Sequence, residues 1–79
     1  MNKELIITVI KERIAQVERE LAELDVKRGW LERSLLDPVT SGPHYAEINK
    51  GLTEAKDQIK QGEKLVKYLN DRLILETAS

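Results

Sequence analysis

The sequence predicts an all-α fold: an antiparallel two-helix hairpin with coiled-coil character that dimerises into a four-helix bundle. Three observations predict it. Ile7, Ile10, Ile14, Val17, Leu21, Leu24, Leu31 and Leu35 recur in alternating steps of three and four, interrupted once, by Arg28. Tyr45, Ile48, Leu52, Ala55, Ile59, Gly62, Val66, Leu69 and Leu73 repeat the same spacing. Between the two series stands one proline-bearing connection, Asp37 to Gly42. Apolar residues at such spacing line one face of a helix, and a sustained heptad makes that face a seam for a second helix.

The first helix is expected over 3–36. Asn2 can cap it and Glu4 lies favourably in its first turn. Gly29 is its weak interior point, costing about 1 kcal/mol relative to Ala. Asp37-Pro38 ends it, because a residue before proline is pushed out of the α region. Residues 37–42 form the turn, with Thr40, Ser41 and Gly42 as candidate caps and Pro43 suited to the first helical position. The second helix is expected over 43–76, with Gly51 and Gly62 lowering its intrinsic helicity. A short connection makes the helices antiparallel neighbours. With the turn centred near Thr40, facing residues have numbers summing to about 80. Trp30 is then expected near Lys50 and Gly51, and Gly62 near Val17 and Glu18.

The 79 residues make one domain, 34% charged, with a formal net charge of −1 and neither Cys nor Phe. Interspersed signs argue against a chain built around bulk electrostatic attraction to nucleic acid. The absence of cysteine excludes disulfides and thiolate metal sites, and fits a cytoplasmic location. The apolar run Leu5–Ile10 is far short of the ~20 residues a membrane span needs, so no membrane partner is expected.

A lone hairpin leaves one flank of every seam residue wet, so more helices are expected. Candidate oligomer-interface residues are Leu5, Ile6 and Val9 at the open end, the small-residue strip Ala15, Ala22 and Gly29, and Leu65 and Leu75 on the second helix. The simplest completion is a homodimer. In architecture it resembles the small plasmid-encoded RNA-binding hairpin dimers of the Rop type, without a shared motif. Shape of this kind does not fix function.

No catalytic constellation can be assembled, and no cofactor or metal is expected. His44 is the single histidine; beside Tyr45 it reads as a solvated residue at a helix start. The many glutamates lack the Glu-x-x-His pattern of carboxylate-bridged metal bundles, and the seams are apolar. The first functional expectation is therefore a non-catalytic adaptor or inhibitor, of the kind phage and plasmid accessory genes encode, binding a larger protein. Trp30, Arg33 and Tyr68, with His44 and Tyr45 at the turn end, are its candidate contacts. The competing role for Trp30 is to cover the flank near Gly51 or to pack in the dimer interface.

The alternative is a phosphate-bearing ligand, structured RNA or a small nucleotide, held by Lys56, Lys60, Lys64, Lys67 and Arg72. Glu54, Asp57, Glu63 and Asp71 are interleaved, so the same stripe reads as a solvated, salt-bridged face. Arg28, in the seam between Asp25 and Glu32, reads as a device that sets register or oligomer state.

Overall fold

The computed structural model describes residues 2–37 and 42–78. Two helices pack antiparallel: α1, Lys3–Leu36, and α2, Pro43–Ala78. The molecule is a rod of 57 × 16 × 14 Å. Both helices start and stop for local reasons. Asn2 Oδ1 accepts from the backbone N–H of Glu4 at 2.9 Å, satisfying a donor at the start of α1 that has no helical partner. Asp37 leaves the helical region (φ −71°, ψ 122°), as a residue preceding proline must. Gly42 adopts φ 56°, and its carbonyl accepts from Ala46 N–H at 3.3 Å, opening α2 just before Pro43. The other cap candidates, Thr40 and Ser41, lie outside the described residues. At its far end α2 continues two residues past the expected Glu76.

The seam forms. Ile10, Val17, Leu52 and Ala55 are buried, and every other seam residue except Tyr45 is at least half-covered. The core is therefore one side chain thick. Its register differs from the expected one. Leu21 meets Gly62 and Leu31 meets Gly51, pairs whose numbers sum to 83 and 82 rather than about 80. Interlocking side chains explain the difference. An antiparallel seam sets the a positions of one helix opposite the d positions of the other, and registers that do so lie a heptad apart. A level turn cannot override that interlock.

The shift leaves the first turn of α2 overhanging. Tyr45 would face a position beyond Leu36, where α1 has ended, so it is 50% exposed rather than a seam residue. Gly62 likewise faces Leu21 rather than Val17 and Glu18. A Cβ built on Gly62 would come within 2.5 Å of Leu21 Cδ2 and 3.2 Å of Cγ, so the glycine is what admits Leu21. Gly51 is looser, with Leu31 methyls at 3.6 and 3.8 Å from such a Cβ.

Arg28 is held in the seam by its own helix. Its Nη2 reaches Asp25 Oδ1 at 2.6 Å, and its Nη1 lies 3.0 Å from both Glu32 carboxylate oxygens. The register puts it opposite Ala55, the smallest side chain available, so the aliphatic stem lies across the seam while the charge reaches solvent. Hydrogen bonds to Asp25 and then Glu32, reinforced by their charges, raise the guanidinium pKa above the usual arginine range. For a base whose folded pKa is raised, the stabilisation is complete below the unfolded value and fades only as pH climbs through the folded one. Arg28 is thus a fixed charge at every working pH.

Candidate functional site

The two flanks of the hairpin are different surfaces. Around each helix the e and b positions lie on one side of the seam, and the g and c positions on the other. Lys56 Nζ stands 3.9 Å from Glu32 Oε1, joining the e positions of the two helices and marking the first flank. On the second flank Glu20, Gln58 and Leu65, all at g positions, line a groove of about 470 Å³ with Leu21 and Gly62 at its floor. The groove lies where Gly62 leaves the seam without a side chain.

This geometry divides the expected interface residues. Ile6, Val9, Leu65, Tyr68 and Leu75 share the g/c flank. Tyr68 is 63% exposed and Leu75 66%. Leu5, Ile6, Val9 and Ile10 line an apolar hollow at the open end. The small-residue strip does not join them. Ala15, Ala22 and Gly29 occupy b positions on the other flank, behind the charged row Lys11, Glu18, Asp25 and Glu32. No heavy atom lies within 4 Å of a Cβ built on Gly29.

Trp30 is 68% exposed on the g/c side of α1, at the opposite end of the rod from Leu75. Its ring edges a shallow cleft of about 270 Å³ with Asp25, Val26, Arg28, Gly29 and Arg33, so the cleft extends from Trp30 across the outer side of α1 toward the e/b flank. Val26, also exposed, was not anticipated from the sequence. Its spacing of four before Trp30, outside the heptad seam, is the signal that marks it. The backbone carbonyl of Trp30 accepts from Ser34 Oγ at 3.0 Å, which fastens that turn of helix. Arg33 lies in the last turn of α1, where the helix dipole favours a cation. His44 and Tyr45 are both exposed on the overhanging first turn of α2, away from Tyr68.

The cationic stripe of α2 is split by the fold. Lys56 is engaged with Glu32, on the e side. Arg72 is on the g side, with Nη2 3.3 Å from Glu76 Oε1. That leaves Lys60, Lys64 and Lys67 together along the outer face of α2. Among the described residues no group of three or more His, Cys, Asp or Glu is placed to hold a metal ion. None of their helices is long and apolar enough to cross a membrane. What the surface offers chemically is apolar and aromatic contact among interspersed charges, of which Asp25, Arg28, Glu32, Lys56, Arg72 and Glu76 are joined in ion pairs. Compared with known proteins, the chain matches no family model, no curated protein and no solved structure, so the functional argument rests on its own residues.

Proposed function

We propose that this chain is a non-catalytic binding protein. It pairs with a second copy to complete a four-helix bundle and engages a larger protein through an exposed helix face, as an adaptor or inhibitor. The observation that supports this reading is the mismatch between core and surface. Among the described residues four are buried, whereas nine large apolar side chains, Trp30, Tyr45 and Tyr68 among them, are half or more exposed. Aromatic side chains at that exposure are the usual anchors of protein interfaces.

The test is quantitative capture of binding proteins from the native host by the wild-type chain and by Trp30→Ala, Tyr68→Ala and Arg33→Glu variants, with helicity followed by circular dichroism. The expected result is capture reduced about tenfold or more by at least one aromatic variant with helicity unchanged, the size of a hot-spot loss. Loss of helicity in both aromatic variants would instead make those residues part of the fold. A salt series separates the phosphate-ligand reading, since counterion release makes such binding fall steeply with salt. Capture that persists at high salt supports a protein partner.

A further inference from the structure

We infer that the cleft at Trp30 is a docking seat for an acidic segment of the larger protein, with a carboxylate set against Arg33 and an apolar side chain in the hollow over Gly29. The inference rests on the protein-partner component of the function proposed above and names the surface and the chemistry of what it takes.

The hollow exists because Gly29 has no side chain. No heavy atom lies within 4 Å of where its Cβ would stand. Val26 and Trp30 wall the space, and Asp25, Arg28 and Arg33 complete its lining. Its volume of about 270 Å³ falls below the roughly 300–1,000 Å³ of pockets that enclose whole small molecules. It suits single side chains presented by a protein surface. Trp30 is not used to cover the hairpin's own seam. Leu31 fills the space beside Gly51, and the indole stays mostly exposed.

The partner's chemistry follows from which groups in the cleft are already engaged. Arg28 Nη2 and Nε lie 2.6 and 3.1 Å from Asp25 Oδ1. Arg28 also binds Glu32, which reaches Lys56, so these four charges cancel within one network. Arg33 is exposed and, among the described residues, stands in no ion pair or side-chain hydrogen bond. Its charge is the net charge of the cleft; Asp37, one turn on, is not part of the lining. The indole N–H of Trp30 is likewise without an acceptor among the described residues. Both groups are donors only. An occupant must therefore bring acceptors and negative charge, and a guanidinium takes a carboxylate through two parallel N–H···O bonds. A basic segment would set like charge against Arg33 and be rejected.

Spacing adds a second requirement. Gly29 and Arg33 are four residues apart, about 6 Å along the helix axis. The carboxylate and the apolar side chain must be about that far apart in the partner. Residues two apart on an extended segment, or one turn apart on a helix, meet this. One ion pair gives a shallow salt dependence, unlike the steep one of a polyphosphate ligand.

Trp30 is the only tryptophan, so its indole N–H peak in a proton–nitrogen correlation spectrum reports this cleft alone. The probes are acetyl-Leu-Ala-Glu-amide, its Gln and Lys counterparts, and inorganic phosphate, each titrated to millimolar concentration into the full chain. The glutamate peptide is expected to shift the peak saturably and to bind at least about threefold more tightly than the glutamine peptide, the size of an exposed charged pair. Arg33→Gln is expected to remove that difference. Arg33→Glu is expected to transfer the preference to the lysine peptide, a reversal that loss of helix structure could not produce. Equal binding of the glutamate and glutamine peptides would overturn the carboxylate. Phosphate moving the peak as the glutamate peptide does would overturn the apolar requirement and with it the acidic segment. A peak that no peptide moves would overturn the seat itself, whereas capture of a host protein that Trp30→Ala abolishes would still leave the proposed function standing.

Discussion

Single residues decide how closely the two helices approach, and the glycines make this measurable. Each interior glycine costs its helix about 1 kcal/mol against alanine, yet the three sit in different surroundings. A methyl on Gly51 would meet Leu31 at ordinary contact distance, and one on Gly29 would meet nothing. Gly51→Ala and Gly29→Ala are therefore expected to stabilise the fold by about 1 kcal/mol each in urea unfolding. Gly62→Ala has the same propensity gain but must displace Leu21, and overpacking of that kind costs about 1–3 kcal/mol. It is expected to be neutral or destabilising, and equal stabilisation by all three would refute the close approach of Leu21. Arg28 makes a second residue-scale case. Leucine there extends the apolar seam opposite Ala55, so Arg28→Leu is expected to raise Tm by about 4–8 °C, the shift that 1 kcal/mol gives a domain this small. The same change removes the one polar marker of register. Broadened or mixed oligomeric mass is the expected accompaniment.

At the scale of the element, the helix ends are held by inexpensive, replaceable contacts. Asn2→Ala removes the side-chain acceptor for Glu4 N–H and is expected to cost about 1 kcal/mol. Gly42 opens α2 in the left-handed region, where an alanine is strained by roughly 1–2 kcal/mol, so Gly42→Ala should lower stability by that amount in the same assay. The helices differ in what they leave outward. The outer side of α1 carries the Val26–Trp30–Arg33 cleft, of which the sequence marked Trp30 and Arg33 and the structure added Val26. The basic stripe on α2 was legible only as a stripe. Which of its cations are free depends on Glu32 and Glu76, and Glu32 belongs to the other helix.

The whole molecule is a rod with a core one side chain deep, and this has a thermodynamic signature. A bundle completed by a second copy folds and associates together, so its Tm should rise with protein concentration. An increase of several degrees from micromolar to hundreds of micromolar is expected by calorimetry. A concentration-independent Tm would mean that the hairpin is stable alone and that its exposed apolar surface is kept for another protein.

Hairpin architecture, helix bounds within two residues and the identity of every seam residue but Tyr45 were present in the sequence. Caps, proline stops and heptad periodicity act over a few neighbouring residues, and Asn2, Asp37 and the Ile10–Val17–Leu24 series need no distant partner to be recognised. Register and facing were decided by the tertiary structure. The a positions of α1 interlock with the d positions of α2 only in steps of a heptad, which moved Gly62 onto Leu21 and left Tyr45 beyond the end of α1. The same interlock put Ala15, Ala22 and Gly29 on one flank and Leu65, Tyr68 and Leu75 on the other. Local periodicity says which side of its own helix a residue occupies. The side of the molecule on which it lies is set only when a second helix, far away in the chain, packs against the first.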